Sequence, residues 1–327
     1  MQRIKFDLNK FMDSQERRLR ETFDDNTAAI AGRLTRATIA EVFKYRYAAT
    51  PWANGELITL DSSINPGATS VDWFGQADGG SPMSAFIAND GPIPFVDVRS
   101  EQNHNNVHTM ATGFKYDAQE IASAEMAGLG SIVQDKGAAA RRWFDQQLNG
   151  AILNGVTGAG MHGMLGIPGS HQMIAGTATG TTAAWATTAT PEQIVGSMEA
   201  MFGAIDSVTT DTPVMPNTVV FPSTVAPRLR GQKSVATDTT IKAWLEEQFP
   251  EITLWKVDSR MNTAGLGSTA AVLMYNRDKD MVRAIMPLKL TPLPLHIKHQ
   301  NFEQGFRARY GGIVCPFPKA VAVLSGV

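Results

Sequence analysis

The stretch that decides the fold is Asp117–Asn154, DAQEIASAEMAGLGSIVQDKGAAARRWFDQQLNGAILN. Asp117 and Glu120 have the spacing of a capping box, so a helix is predicted to begin there. Apolar residues then recur at spacings of three to five, which predicts one amphipathic helix of about 38 residues and about 57 Å. These residues are Ile121, Met126, Leu129, Ile132, Val133, Ala140, Phe144, Leu148 and Ile152. The predicted helix is longer than a typical globular helix.

Glycines and a pair of aromatic residues qualify this prediction. Gly128, Gly130 and Gly137 each weaken a helix by up to about 1 kcal/mol relative to alanine, so a break near them stays open. Trp143 and Phe144 are neighbours, about 100° apart on a helix, and cannot both face the core squarely. Phe144 shares the stripe of Ala140, Leu148 and Ile152. We therefore predict Phe144 in the core and Trp143 at its edge or against another subunit.

The sequence before the long helix reads as an arm followed by a loop. Residues 1–50 are predicted to form an arm with a helix near Asn26–Phe43, on a ragged apolar face. Residues 51–113 are rich in Gly, Pro, Asn, Asp and Ser. They contain strand-like pieces that turn residues separate, which predicts an extended two-stranded loop. The pieces are Glu56–Leu60, Ser70–Phe74 and Phe95–Val98.

The sequence after the long helix alternates helix and strand up to about residue 286. Thr190-Pro191-Glu192-Gln193 predicts a helix start, with a threonine cap, proline at the first position and glutamine three residues on. Asp238 is predicted to cap a second helix. Ala270–Tyr275 and Met281–Met286 flank a turn and are predicted to pair as a hairpin. Further strands are predicted at Thr218–Phe221, at Ile252–Val257 and throughout residues 287–327.

Composition places the chain among folded globular proteins. It has 327 residues, of which 43% are hydrophobic and 18% charged, and its net charge of −2 gives no global basic field for nucleic acid. Cys315 is the single cysteine, so no intrachain disulfide can form, and its apolar neighbours predict a buried, inert thiol. The sequence contains no run of 18 apolar residues, so it predicts no membrane-spanning helix. The charged N-terminus is not typical of a signal peptide.

Charge is unevenly distributed along the chain. Residues 51–113 contain seven acidic residues and one arginine, net −6, whereas residues 277–327 contain eight basic and three acidic residues, net +5. This pattern is either ordinary solvated surface or a sign that one segment docks on the other, within or between subunits. The candidate contacts between subunits are Asp61, Asp72 and Asp78 on the acidic side, and Lys298, Arg307 and Arg309 on the basic side.

The motifs of common catalytic and cofactor sites are absent or out of context. Residues 158–163, GAGMHG, match the GxGxxG string, but they follow a predicted helix rather than a strand, so a hinge is favoured over dinucleotide binding. The sequence contains no phosphate-binding P-loop, no GxSxG and no HExxH. Glu101, His104 and His108 could share a metal on a helix, but the surrounding asparagines favour a loop. We therefore predict no catalytic residue, no cofactor and no metal; an enzyme with an unrecognised site stays as the alternative.

The order of several short motifs resembles the HK97-type major capsid proteins of tailed bacteriophages, a superfamily that includes encapsulin shells. The motifs are INPGA at 64–68, IPFVDV at 93–98, FKYD at 114–117, AARR at 139–142, GMLGIP at 163–168, RYGGI at 309–313 and PKAVA at 318–322. Each motif is short, and the resemblance lies in their order and spacing over residues 55–327.

The resemblance implies an α+β fold of four parts. These would be an N-terminal arm at 1–50, an extended β-hairpin loop at 51–113, a peripheral domain with a spine helix at 114–155 and 287–327, and an axial domain at 156–286. It also implies a major capsid protein that self-assembles into hexamers and pentamers of an icosahedral shell around double-stranded DNA. An encapsulin-like compartment shell, or another phage structural protein, is the alternative.

The resemblance also implies partners and a location. The partners would be other copies of the chain, packaged DNA bound without sequence preference, and separate scaffolding, portal and decoration proteins, with no membrane. The protein would be part of the virion and assemble in the cytoplasm of the host bacterium. Some relatives crosslink through a lysine on the extended loop. No lysine lies between Lys44 and Lys115, so that crosslink is not expected here. A built-in scaffolding segment is not expected either, since little more than 50 residues precede the loop.

Overall fold

The computed structural model describes residues 47–79, 97–126, 131–175, 184–206, 214–234, 237–298 and 301–327. Residues Ala49–Val327 form one compact unit. The helix predicted near Asn26–Phe43 lies outside the described residues, as does the start of the strand predicted at Phe95–Val98.

The described residues contain five α-helices and eighteen strands. The helices are α1 (Ala118–Met126), α2 (Ile132–Asn154), α3 (Pro191–Asp206), α4 (Ala226–Leu229) and α5 (Ile241–Gln248). The first strands are β1 (Thr59–Asp61), β2 (Ser70–Gly79), β3 (Asp97–Asn106), β4 (His108–Asp117), β5 (Gly155–Val156), β6 (Met161–His162) and β7 (His171–Ile174). The middle strands are β8 (Thr218–Pro222), β9 (Gln232–Ser234), β10 (Thr237–Thr240), β11 (Leu254–Asp258) and β12 (Ala271–Tyr275). The last are β13 (Arg283–Ile285), β14 (Leu288–Pro292), β15 (His296–Lys298), β16 (Asn301–Tyr310), β17 (Ile313–Val314) and β18 (Val321–Ser325).

The predicted single helix is two helices, α1 and α2. The predicted start is confirmed, since the Asp117 N–H donates to the Glu120 carboxylate at 3.2 Å and the Asp117 side chain accepts from the Gln119 N–H. Ser131, however, has an extended backbone and accepts from the Gln134 N–H, which makes it the N-cap of a new helix. The one-helix prediction is therefore wrong at this point, although α2 alone still has 23 residues.

A five-stranded sheet separates two hydrophobic cores. Its strand order is β11-β8-β12-β18-β7, and residues of β8, β12 and β18 are buried on both faces. One core contains the apolar face of α3 together with Ile241 and Leu245 of α5. The other contains Phe144, Leu148 and Ile152 of α2. The last strand, β18, pairs with β12 and β7, so by pairing it belongs with the 156–286 segment rather than with residues 287–310.

A second sheet is built around β16. This strand pairs antiparallel with β4 over its whole length, from His108 opposite Tyr310 to Asp117 opposite Asn301. It also pairs with β14 and β15 over separate parts of its length. The alternation of side chains puts an aromatic ladder on one face, where Tyr116 stacks on Phe302 at 5.2 Å and Phe114 lies 6.0 Å from Phe306. The Phe114 ring lies against Gly137 of α2, so this face packs on the helix.

Three local predictions of the 160–286 segment can be compared with the structure. The start of α3 is confirmed, because the Thr190 N–H donates to Gln193 Oε1 at 2.9 Å and Thr190 Oγ1 accepts from the Gln193 N–H. The cap of α5 is Thr240 and not Asp238, since residues 237–240 form β10 and the helix begins only beyond it. The hairpin prediction is wrong: β12 pairs with β8 and β18, whereas β13 pairs with β1 and β17 in a separate sheet.

The start of the predicted extended loop is part of the core. Trp52 is fully buried, stacks on Tyr275 at 6.2 Å and donates from its indole Nε1 to Asp258 Oδ2 at 2.9 Å. Its backbone N–H donates to Oδ1 of the buried Asn149 on α2 at 2.9 Å. The Tyr275 hydroxyl donates to the Leu57 carbonyl. These contacts fix the segment in which the chain enters the compact unit, so only the later part of 51–113 can extend from it.

Candidate assembly surfaces

The β2–β3 hairpin forms a two-stranded sheet of its own. Its strands pair antiparallel from Ser70 opposite Asn106 to Gly79 opposite Asp97, and neither pairs with another described strand. At about 3.4 Å per residue its ten-residue strands are about 34 Å long. At its base the Asn105 side chain donates to the Ile313 carbonyl at 2.9 Å, which ties the hairpin to β17. The prediction of a strand pair in this segment is thus confirmed, with longer strands than the pattern indicated.

One face of the hairpin carries a polar ladder beside an exposed aromatic ring. His104 Nδ1 lies 2.5 Å from Asp72 Oδ1 on the opposite strand, and His104 Nε2 lies 2.9 Å from Asn106 Oδ1. These hydrogen bonds, with that to Asp72 the stronger, raise the pKa of His104 above its ordinary value. Phe74 follows on the same face and is 65% exposed. This ring lies on a strand pair that no other described strand joins, so it is open to contact with another chain.

The raised pKa of His104 predicts that the hairpin is better ordered at mildly acidic pH. A histidine whose pKa is raised on folding stabilises the folded state fully at pH values below its ordinary pKa of about 6.5. This stabilisation is lost as the pH rises through the pKa of the folded state. We expect backbone hydrogens of β2 and β3 to exchange more slowly at pH 6 than at pH 8.5 after correction for intrinsic rates. Hydrogen-exchange mass spectrometry measures this difference. The same pH difference in His104→Gln would contradict the assignment.

Helix α2 places its two neighbouring aromatic residues as predicted. Phe144 is 2% exposed and lies in the core cluster that also contains Ala308, Tyr310 and Val323 of the C-terminal strands. Trp143 is 51% exposed. The predicted phase of the helix is therefore confirmed, and Trp143 is free of the core of its own chain.

Asp61 is buried, which corrects its prediction as a contact between subunits. It is 6% exposed rather than on the surface, and its carboxylate lies 3.7 Å from both Lys279 Nζ and Arg283 Nε. Burial raises its pKa, but hydrogen bonds from Ser63 and the two cations outweigh that effect, so the pKa lies below its ordinary value. Here the acidic and basic segments dock within one subunit, and Asp61 has no free carboxylate for a neighbour.

The basic candidates lie on or beside β16 and β15. Lys298 and Arg307 are exposed. Arg309 is half-buried and donates from Nη1 to the Pro66 carbonyl, a second contact between the two oppositely charged segments of one chain. Arg307 and Arg309 also line an open cavity of about 490 Å³ with Pro66, Gly67, Thr109 and Leu288. Asp78 lies in β2 opposite Val98, and its side chain is outside the described part.

The residues considered for chemistry lie apart. His104 and His108 are on different strands, β3 and β4, rather than on one helical turn. Among the described residues no group of three or more metal-ligating side chains comes together. Burial raises the pKa of Cys315 to about 12, so its thiol is protonated at neutral pH, as an inert thiol should be. Residues 158–163 contain the end of the tight turn after β5 and the whole of β6, shortly after α2, and do not form the strand-to-helix turn of a dinucleotide site.

The sequence reasoning did not identify His104 as part of a cross-strand ladder, nor Trp52 as the anchor of the chain. Register decides the first: Asp72 and His104 meet only because the two strands pair in one register. The signal for Trp52 as an anchor was a tryptophan in an otherwise polar segment. Patterns of strands and turns give no information on such a residue. Within the described ranges, no helix is both long and apolar enough to cross a membrane.

Comparison with solved structures identifies the fold. The structure aligns with the capsid of Myoviridae phage XM1 at a TM-score of 0.76 and 15% identity, covering 90% of this chain and 98% of that chain. The Microbacterium phage Oxtober96 chain aligns at a TM-score of 0.61 and 13% identity, covering 91% and 98%. The capsid of the native GTA particle aligns at a TM-score of 0.61 and 14% identity, covering 91% and 97%. At these identities the likeness shows the fold, which is the α+β, HK97-like fold of capsid shells.

A family model described as "Major capsid protein" matches residues 85–327. The chain belongs to the major capsid protein family. As a member of that family it is a structural protein of the capsid shell. No curated protein matches the chain.

Proposed function

We propose that this chain forms hexamers and pentamers of an icosahedral shell that encloses double-stranded DNA. The observation that carries the proposal is the β2–β3 hairpin, which pairs only with itself among the described residues and leaves Phe74 65% exposed. An isolated two-stranded hairpin is marginally stable in water. Such a hairpin needs a neighbour to cover it, and a closed shell of identical subunits supplies one at every position.

The proposed division of labour follows the four segments. In this proposal residues 1–50 would be an arm, the later part of 51–113 an extended loop, 114–155 with 287–327 a peripheral domain, and 156–286 an axial domain. Strand pairing supports one change, which moves β18 to the axial sheet. The burial of Trp52 and Leu57 supports another, which leaves the start of the loop segment in the core.

We also propose that the acidic hairpin lies over a basic surface of an adjacent subunit. Asp72 and Asp78 would face Lys298, Arg307 and Arg309 there. Exposed pairs of this kind contribute only about 0–1 kcal/mol each, so their role is to set register and association rate. A structure of the assembled shell that separates these groups by more than about 10 Å, a Debye length at 0.1 M salt, would refute the contact.

The proposed partners extend beyond the shell itself. Packaged DNA would be bound without sequence preference, and separate scaffolding, portal and decoration proteins would complete the particle. Assembly would occur in the cytoplasm of the host bacterium. We infer a structural rather than a catalytic role from membership of the major capsid protein family.

Electron microscopy and nuclease protection test the proposal together. Purified native particles should be icosahedral, and DNA extracted from them should survive prior treatment with nuclease. Phe74→Ser should fold but assemble poorly, whereas Leu266→Ser, which alters a residue of similar exposure (69%) away from the hairpin, should assemble normally. Stable monomers or dimers of the unmodified protein at high concentration and in all salts would contradict shell formation.

A compartment shell is the second candidate. The structure aligns with a virus-like particle from Pyrococcus furiosus at a TM-score of 0.50 and 13% identity, covering 82% of this chain and 89% of that chain. Such a shell would also appear closed in the microscope. Particles that form normally but protect no DNA would favour this candidate over a DNA-filled capsid.

The covalent state of the shell is a separate prediction. Since residues 45–114 contain no lysine and Cys315 is the single, buried cysteine, we expect neither a loop-lysine isopeptide mesh nor a disulfide network. Denaturing gels of mature particles should show one band near 35.3 kDa without reductant. A ladder of heavier bands that survives reductant would contradict the isopeptide part.

A further inference from the structure

One face of the β16 sheet points away from α2. Phe114 and Phe306 lie on the face that packs against the helix, and side chains alternate along a strand, so the residues next to them point the other way. On β4 these residues are exposed; they are Thr109, Ala111, Gly113 and Lys115. On β16 they are exposed or half-buried; they are Glu303, Gly305, Arg307 and Arg309. We call this surface the open face of the sheet.

A notch crosses the middle of the open face. Gly113 lies opposite Gly305, so this rung of the ladder has no side chain on either strand. A cavity of about 590 Å³ opens there. Leu293 forms an apolar wall, since its Cδ1 lies 3.1 Å from the position that a Cβ of Gly305 would occupy. An apolar cavity of about 150 Å³ already binds benzene, so the notch has room for an aromatic ring.

The charges around the notch are mostly basic. Arg307 lies two residues along β16 from Gly305, is exposed, and has no hydrogen bond or ion pair from its guanidinium to another described residue. Two carboxylates share the face: Glu303 lines the notch opposite Lys115, and Asp117 accepts from the N–H of Gln119 at the start of α1. The other basic residues of the face are His296, Lys298 and Arg309. A partner of this face therefore needs a carboxylate at Arg307 and none at Glu303.

One face of the β2–β3 hairpin has the same spacing. Asp72 and Phe74 are two residues apart on β2, so they share a face and lie about 7 Å apart, as Arg307 and Gly305 do on β16. Phe74 is 65% exposed. Asp72 is exposed and binds His104 through Oδ1, which leaves Oδ2 without a partner among the described residues. The hairpin thus presents a carboxylate and an aromatic ring in the order that the open face requires.

Charge selects one direction for this contact. If β2 lies antiparallel over β16 with Phe74 at the notch, Asp72 meets Arg307 and the uncharged residue Gln76 meets Glu303. If β2 lies parallel over β16 with Phe74 at the notch, Asp72 meets Glu303 instead. Like charges that face each other are destabilising, so the antiparallel direction is favoured. Two sheets that pack face to face in this way keep their strands nearly aligned.

We propose that the hairpin of a second copy docks on the open face, with Phe74 in the notch between Gly113 and Gly305 and with Asp72 on Arg307. The occupant comes from a second copy, because within one copy Phe74 is exposed and neither hairpin strand pairs with another described strand. The docking rests on the proposed contact between the acidic hairpin and a basic surface of an adjacent subunit. It adds an aromatic anchor, a socket and a register to that contact.

The walls of the notch disfavour DNA as the occupant. DNA presents phosphates, whose binding depends on Lys and Arg, whereas the Glu303 carboxylate in the wall repels them. The apolar side offers phosphates no donor, since the N–H of Leu293 is bonded to the Gly305 carbonyl and Pro294 has no N–H. An aromatic ring needs no such donor. An aromatic residue among apolar walls, with charges at the rim, is typical of the centre of a protein interface.

Chemical crosslinking of engineered cysteines tests the register. Packed sheets lie about 10 Å apart, so a short bis-maleimide is used rather than direct oxidation. Asp72→Cys with Arg307→Cys puts two thiols opposite each other. Asp72→Cys with Lys298→Cys is the matched control: Lys298 is an exposed cation on the same face, opposite Asn301 and so about 20 Å further along β16. The native Cys315 is 5% exposed and does not compete.

Particles with Asp72→Cys and Arg307→Cys should give a ladder of bands at multiples of 35.3 kDa, and the control particles should give one band. The ladder should persist although both charges are gone, because Phe74 and the notch are unchanged. Particles without a ladder, or equal ladders in both variants, would overturn the docking. The proposed shell would survive that result, since particle formation is scored by microscopy before the crosslinker is added.

A second measurement applies if the cysteine variants do not assemble. In a reconstruction of unmodified particles, the Phe74 ring should lie within about 4.5 Å of Gly113, Gly305 or Leu293 of a second copy. Phe74 in solvent or against a different surface would overturn the proposal. A notch that is occupied by DNA or by another protein would do the same.

Discussion

Trp52→Ala is expected to destabilise the folded subunit by about 3–5 kcal/mol, the usual cost of truncating a buried Trp. Trp52 is fully buried, with 0% of its surface accessible to solvent, and it stacks on Tyr275. The substitution also removes the donor to the buried Asp258, whose carboxylate then keeps the backbone N–H of Arg260 as its remaining described partner. Native proteins have only about 5–15 kcal/mol of stability, so most of the variant should be insoluble or unfolded.

Trp52→Phe is the matched control for this effect. It keeps an aromatic ring against Tyr275 and loses the indole N–H, so it should cost about 1–3 kcal/mol, the penalty of leaving a buried acceptor underpaired. Urea unfolding of soluble subunits measures both variants. Equal midpoints for Trp52→Ala and the unmodified protein would show that residues 52–58 are not anchored in the core.

The buried elements follow from sequence patterns where one local rule decides them. The Thr190–Gln193 box starts α3, and the apolar spacing around Phe144 fixes the phase of α2. Both depend on residues a few positions apart. The N-cap at Ser131 also has a local signal, since Ser131 and Gln134 have the capping-box spacing after two glycines. That signal lay within a longer apolar pattern that favoured one continuous helix.

The pairing of distant strands could not be predicted in the same way. β12 and β13 are separated by a short turn, yet their partners lie at β8 and β18 for one and at β1 and β17 for the other. Local propensity favours the hairpin, but burial of β12 on both faces requires a central position in the five-stranded sheet. Tertiary packing therefore overrides the turn.

The candidate surface residues also differ in whether local or distant residues determine their burial. Exposure of Trp143 was predictable, because its buried neighbour fixes the helix phase. The burial of Asp61 was not, because it depends on Lys279 and Arg283, more than 200 positions away in sequence. A count of charge by segment indicates that two segments attract each other. It does not distinguish contact within a subunit from contact between subunits.

Phe144→Ala and Trp143→Ala are expected to separate folding from assembly. Phe144 is 2% exposed in the core between α2 and the C-terminal strands, so its truncation should cost about 3–5 kcal/mol. Most of that protein should be insoluble or unfolded. Trp143 is 51% exposed, so its truncation removes little from the core and should leave the urea midpoint nearly unchanged.

The two variants are matched, since they alter adjacent aromatic residues of one helix and differ mainly in the direction of the ring. Circular dichroism and urea unfolding report the fold, and sedimentation reports assembly. We expect Trp143→Ala to yield soluble, folded subunits that form few particles, because loss of an interfacial tryptophan weakens association rather than folding. Normal folding and assembly of Phe144→Ala, together with unfolding of Trp143→Ala, would mean that the ring buried by α2 is Trp143 and that the helix exposes Phe144 instead.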